Sequence, residues 1–234
     1  FTVVVQQEPE RLARAAISPG LDARPIDFSL LYFAADAAES TGGKYRLLLE
    51  GAKYADEHGF SAVWTPERHF HPFGGLYPNA ALTGAAVAAV TRRIGIRAGS
   101  VVLPLHNPIR VAEEWSVVDN LSGGRAGMCF ASGWHANDFA LAPGVYGEHR
   151  KVMYERLETV RRLWSGEPIE ATSGTGEPIS VTLYPRPVQP RPPLFAAVVG
   201  NPDSYLRAAE SELGVVTNLM AQSVEQLGEN VRRY

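Results

Sequence analysis

From Ile26 onward, short apolar runs alternate with longer segments whose apolar positions recur at helical spacing, and the alternation predicts a repeating strand–helix unit. Phe28 to Ala34 reads as a first strand. Tyr45 to Glu57 follows as a helix, with Leu47, Leu48, Ala52 and Ala55 at compatible spacings and Gly59 as its stop. Phe60 to Trp64 gives the second strand, and Leu82 to Val90 an Ala/Val helix suited to close packing. Ile94 to Leu103 and Ile109 to Leu121 form a third unit, closed by Gly123-Gly124, and Ala126 to Ala131 with His149 to Trp164 a fourth. Leu194 to Val199 with Ser204 to Leu213, then Val215 to Leu219 with Val224 to Tyr234, complete six.

Helices long enough to serve as crossovers between successive strands favour an α/β fold with a parallel sheet. Polar signals follow successive strands instead of gathering at one switch point. That distribution favours a TIM-type (β/α)8 barrel with six units visible and the final two absent, over an open sheet. Two regions break the rhythm. Residues 1–26, with the apolar run Val3 to Val5 and a helix expected around Glu10 to Ile17, read as an amino-terminal extension or linker before a domain at 27–234. The Gly- and Pro-rich stretch at about 165–193 contains the alternating run Ile179 to Leu183. It reads as a hairpin excursion, serving either as structural cover or as a flap beside a substrate entrance.

Length and charge narrow the classes. The chain's 234 residues allow one domain or two, and its net charge of -3 provides no basic footprint for nucleic acid. Cys129 stands inside an apolar run, so packing is its expected role. No apolar segment reaches membrane-spanning length and no secretory signal is evident, which makes a cytoplasmic location the expectation, without a membrane partner.

The densest chemistry is Trp64-Thr-Pro-Glu67-Arg-His69-Phe-His71, directly after the second strand. His106 follows the third strand and Ser132-Gly-Trp134-His135-Ala-Asn137-Asp138 the fourth, so all would face the carboxyl end of a parallel barrel. His69 and His135 are the candidate catalytic groups, whereas His71 and His106 read as supporting or structural. Glu67, His69 and His135 could in principle ligate a divalent metal, but their spacing matches no strong zinc pattern, and no metal is expected. Ser132 lacks the flanking pattern of a nucleophile elbow. The turn Gly200-Asn-Pro-Asp-Ser204 opens a helix whose free amides could face a phosphate, although Asp203 would repel one if turned inward. Arg110 and Arg125 could make charge-assisted bonds to a cofactor or form ordinary surface pairs.

Several of these segments together resemble the flavin-dependent luciferase-like monooxygenases, in the branch found in natural-product assembly lines. They are Glu67-Arg-His69-Phe, Leu105-His-Asn-Pro-Ile-Arg110-Val-Ala-Glu-Glu, Leu121-Ser-Gly-Gly-Arg125, Ala131-Ser-Gly-Trp134-His135-Ala-Asn137-Asp138-Phe and Gly200-Asn-Pro. The resemblance runs from about Asp27 to Tyr234. It implies an incomplete eight-unit barrel that takes reduced FMN from a separate flavin reductase and uses molecular oxygen to hydroxylate an organic substrate. His69 would assist proton transfer or steady the activated oxygen, and His135 would shape or polarise the substrate side. Arg110, Arg125, Gly200, Asn201 and Ser204 would serve the cofactor's phosphate region. An acyl or aminoacyl group on an acyl or peptidyl carrier protein is the implied substrate class, and Phe70, Phe73, Tyr77 and Trp134 suit an apolar body. A homodimer is also implied. Ala131 and Ala136 stand where relatives commonly carry glycine and proline. The competing readings are a deazaflavin-dependent hydride-transfer oxidoreductase and a noncatalytic barrel homologue acting in assembly.

Overall fold

In the computed structural model, which describes residues 2–5, 26–36 and 43–234, the strand–helix alternation falls into two units, Ser29–Pro193 and Phe1–Phe28 with Leu194–Tyr234. In chain order the elements are β1 (Thr2–Val5), β2 (Ser29–Leu31), α1 (Arg46–Glu57), β3 (Ala62–Thr65), α2 (Ala80–Val90), β4 (Gly95–Val102), α3 (Pro108–Ser122), β5 (Ala126–Ala131) and α4 (His149–Ser165). They continue with β6 (Ile169–Thr172), β7 (Pro178–Val181), β8 (Leu194–Ala197), α5 (Pro202–Glu210), β9 (Gly214–Asn218) and α6 (Val224–Arg233).

Within Ser29–Pro193, β2, β3, β4 and β5 pair side by side, all parallel, with Leu30 opposite Val63, Val63 opposite Ile96 and Ile96 opposite Ala126. Every residue of β3 is buried, as a parallel strand covered on both faces requires. Val63, Ile96, Met128 and Phe130 of the strands are buried, as are Val87, Trp115, Leu157 and Leu163 of the helices. Each such side chain contributes about 1.5–3 kcal/mol by leaving water. Asn79 starts α2 two residues before the predicted boundary, because its side chain accepts the amides of Ala81 and Leu82. Asn107 caps α3 in the same way, with Pro108 at its first position, and Gly123 ends that helix at φ 68°.

The first strand is shorter than its apolar run predicts. After Leu31 the backbone turns to meet the loop beyond β3: Gly74 N–H donates to Ala34 O at 3.0 Å, and Asp36 N–H to Pro72 O at 2.8 Å. A ring contact between Phe33 and Phe73, with centroids 4.9 Å apart, fixes the turn. Gly51 in α1 makes room for this segment, since a Cβ there would lie 2.0 Å from the Tyr32 hydroxyl.

The excursion between α4 and β8 does form a hairpin, with β6 and β7 antiparallel and Ile169 opposite Val181. Its return is pinned by polar groups, among them the buried Asp119. The Asp119 carboxylate accepts the amides of Val188 and Gln189 at 2.7 and 2.9 Å. Gln189 also donates to Ala126 O at 2.8 Å, and Arg186 donates to Leu163 O and Trp164 O. Ala126 opens β5, so the return runs along the amino end of that strand. That placement favours structural cover over a flap for this part of the excursion.

In the other unit, β8 and β9 are parallel and β1 pairs antiparallel with β9, Val4 opposite Val216. The Tyr205, Thr217 and Gln222 side chains form a buried polar network beneath α5, with Gln222 Nε2 donating to Thr217 Oγ1 at 2.7 Å. Ser223 and Gln226 form a reciprocal cap that opens α6. The helix expected around Glu10 to Ile17 lies outside the described residues.

Candidate active site

Glu67 leaves β3 at its carboxyl end and is drawn back against the end of β4, where its Oε2 accepts the Val102 amide at 2.8 Å. Its Oε1 contacts His69 Nε2 and His106 Nε2, each at 2.6 Å. The Glu67 side chain is 2% exposed, His69 9% and His106 27%. Backbone contacts hold both arms. Arg68 N–H donates to Tyr77 O at 2.8 Å, and the next residue but one, Phe70, adopts the unusual φ of 51°. On the other arm, Arg156 of α4 donates to Pro104 O at 2.7 Å and to His106 O at 2.8 Å, fixing the 3-10 turn Leu103–Leu105 that presents His106.

The electrostatics follow from this packing. Burial alone would raise the Glu67 pKa. The bonds from His106 and His69, the charge of His106 and the Val102 amide outweigh it and hold the carboxyl below its ordinary value. Burial would lower the His106 pKa, but the bond to Glu67 and the charges of Glu67 and Glu114 prevail over it and over Arg156, so the imidazole is raised. Glu67 as acceptor places a proton on His69 Nε2, which leaves Nδ1 of a neutral His69 with the free lone pair. The cluster is thus a carboxylate that orients two imidazoles. A small cleft beside it is lined by Glu67, Asn79, His106, Val111, Glu114 and Trp115.

The ligand atoms of Glu67, His69 and His106 lie within 4.8 Å of one another, close enough for a divalent metal to replace the shared protons. The metal-ligating alternative read from the sequence had His135 in place of His106. His135 instead stands with its Nδ1 3.9 Å from Asp138 Oδ1 and its ring against Trp134, centroids 5.3 Å apart. Gly133, at φ 86°, shapes this loop, since a Cβ there would come 2.8 Å from the Phe139 ring. The Arg68 guanidinium lies over Trp134, its Cζ 5.0 Å from the ring centroid. His71 only accepts the Phe73 amide at 3.1 Å. The Cys129 thiol is buried and pushed up by burial, which excludes it as a nucleophile.

The two arginines expected at a phosphate are placed at opposite ends of the strands, Arg110 after β4 and Arg125 before β5. Arg125 precedes β5 and therefore sits at the amino end of the strands. Its guanidinium donates to Ile94 O at 2.6 Å, Ser122 O at 2.8 Å, and Thr91 O and Oγ1 at 3.0 Å each. That end is opposite Glu67, so the cofactor role read for Arg125 is corrected to a structural one. Arg110 is exposed and pairs with Glu113 and Glu114 of its own helix, each at 3.3 Å. In the other unit, Asn201 caps α5. Its side chain accepts the Asp203 amide at 3.0 Å and its carbonyl the Ser204 amide at 3.1 Å. Glu67, His106 and Arg68 were missing from the candidate catalytic and cofactor residues. The available signal was the position of all three just past the ends of adjacent strands.

A family model described as luciferase-like monooxygenase matches residues 27–234. The chain belongs to the luciferase-like monooxygenase family. Among its luciferase-like relatives, the oxygenase component of flavin-dependent trigonelline monooxygenase from Acinetobacter baylyi is 29% identical over 174 residues, covering 73% of this chain and 48% of that protein. The monooxygenase RslO1 from Streptomyces bottropensis superposes with a TM-score of 0.79 at 32% identity, over 89% of this chain and 64% of that one. The oxygenating constituent of 3,6-diketocamphane monooxygenase from Pseudomonas putida, solved in complex with FMN, gives a TM-score of 0.76 over 89% of this chain and 61% of that one. At 16% identity it shares the fold alone. The chain spans about half the length of the curated relatives it matches. Its fold is the TIM-type barrel of the luciferase-like family, carried in part by its six strand–helix units.

Proposed function

We propose that the complete protein is the oxygenase of a two-component, FMN-dependent monooxygenase that hydroxylates an organic substrate, with a separate reductase supplying reduced FMN. The observation that carries this reading is the buried Glu67–His69–His106 cluster at the carboxyl ends of β3 and β4, in a chain of this family. The residues present fit a flavin. Phe33, Phe70, Phe73 and Trp134 leave apolar rings exposed on the loops of that end, and Arg68 Nε is a buried donor without an acceptor, suited to an anionic group. Reduced FMN supplies the two electrons for oxygen activation, so that one oxygen atom enters the substrate and the other leaves as water.

His69, held by Glu67 at Nε2, presents Nδ1 to accept or return a proton beside the activated oxygen. His135 and Trp134 shape the substrate side. Gly200 meets the phosphate through its backbone, and Asn201 and Ser204 through side-chain donors, because the Asp203 and Ser204 amides are already bonded. The substrate class is an acyl or aminoacyl group on a carrier protein, and the working assembly is a homodimer in the cytoplasm. The test is anaerobic addition of reduced FMN to the full-length protein, then oxygen and carrier-linked substrates, with flavin spectra and product mass followed together. Flavin capture with oxygen-dependent hydroxylation is expected. Turnover without oxygen would instead assign hydride transfer, and absence of flavin capture would assign a noncatalytic role.

A further inference from the structure

We infer that Arg68 and Trp134 form an oxyanion-binding subsite, which takes a carboxylate or phosphate on the guanidinium of Arg68 and packs the adjoining apolar body beside Trp134. Arg68 has a fixed base and an unfinished end. Its backbone amide is held by Tyr77 O, and Gly74, at φ 85°, leaves the narrow space through which its stem runs: a Cβ there would come 3.1 Å from Arg68 Cγ and 2.9 Å from the Phe33 ring. At the far end Nε is fully buried and has no acceptor. A buried donor without a partner is costly, and a planar oxyanion supplies acceptors in the fork geometry that a guanidinium prefers.

The neighbouring carboxylate does not fill this role, because both Glu67 oxygens are taken by His69, His106 and the Val102 amide. Among the described residues no carboxylate pairs with Arg68. The partner in place is the Trp134 ring, which holds the guanidinium from one side and is itself 75% exposed. This pair therefore offers a cation with open hydrogen-bonding capacity beside an open aromatic surface.

The oxyanion has two sources, the substrate's carboxylate or the phosphate of the proposed flavin, and only the second rests on the flavin reading. Calorimetric titration of the full-length protein separates them with two probe pairs, FMN against riboflavin and phenylacetate against phenylacetamide. Arg68→Met is expected to weaken the charged member of one pair by about 10- to 100-fold while leaving its neutral partner unchanged, and Arg68→Lys to recover part of the loss. A fall for FMN alone assigns the phosphate, and a fall for phenylacetate alone the carboxylate. Trp134→Ala, at a position 75% exposed, is expected to weaken the same charged probe several-fold, and it serves if Arg68→Met fails to fold. Wild-type protein that captures neither flavin defeats the flavin reading, while the phenylacetate pair still reports on Arg68. Charged probes bound no better than neutral ones by the wild type, or equally well by wild type and variants, overturn the inference.

Discussion

Asp56 and Glu67 are both carboxylates with three hydrogen-bond donors in the same unit, but Asp56 takes all three from the backbone and Glu67 takes two from imidazoles. Asp56 accepts the amides of Arg92, Arg93 and Ile94 at 3.0, 2.7 and 2.7 Å, beside the amino end of β4. Nearby, Arg125 spends its guanidinium on the carbonyls of Thr91, Ile94 and Ser122 and on the Thr91 hydroxyl. Backbone partners do not titrate or move without the fold, so this end of the strands is a structural clamp. At the carboxyl ends, Glu67 faces the side chains of His69 and His106, imidazoles that can donate or accept a proton at either ring nitrogen. Two networks of similar polarity thus differ in what they can do, and the chemical identity of the partner sets the difference.

The strongest challenge to this contrast is His69→Ala. Coupled hydroxylation by the complete protein should fall about 100-fold or more, with peroxide rising in its place and FMN affinity nearly retained. Product and peroxide assayed in one quenched reaction check this, and unchanged coupling would remove His69 from the chemistry. Glu67→Gln comes next, with a loss of about 2–3 kcal/mol in urea unfolding, because a buried charged acceptor is replaced. The same variant should let the His106 pKa fall from its raised value, measurable by NMR.

Smaller effects come from titrating the native pair. Glu67 is held below its ordinary value of 4.5, so its stabilisation is present above that pH and lost as pH falls through the folded value. His106 is raised above 6.5, so its stabilisation is full below 6.5 and lost as pH rises through its folded value. The urea midpoint should therefore decline on both sides of a plateau between the two, and Glu67→Gln should flatten both limbs. At the clamp, Arg125→Met is expected to cost about 1–2 kcal/mol while leaving kcat/KM unchanged. An equal loss of activity at full stability would erase the distinction between the two ends. Arg110→Ala, which removes exposed pairs within one helix, should shift stability by no more than about 0.5 kcal/mol in the same unfolding assay.

The strand–helix order was legible because apolar periodicity is local. β4 and α3 fall within a residue or so of the runs that predict them, and Asn107, Pro108 and Gly123 mark the ends of α3 by backbone chemistry visible in the sequence. β2 was overestimated, since no local pattern reveals that Ala34 and Asp36 bond to the loop beyond β3. In the site, Glu67 and His69 share one motif, but His106 reaches them from 39 positions away, and side-chain direction past a strand end is not encoded by spacing. Arg125 is the instructive miss. Its place directly before a strand already put it at the amino end, and the resemblance to a flavin family drew it to the wrong one.

The staples that Asp119, Gln189 and Arg186 place on the return from the β6–β7 hairpin fix it at the amino end of β5. Length changes near the exposed Gly174, in the turn between β6 and β7, lie beyond those staples, which makes the hairpin tip a natural graft point for reporters.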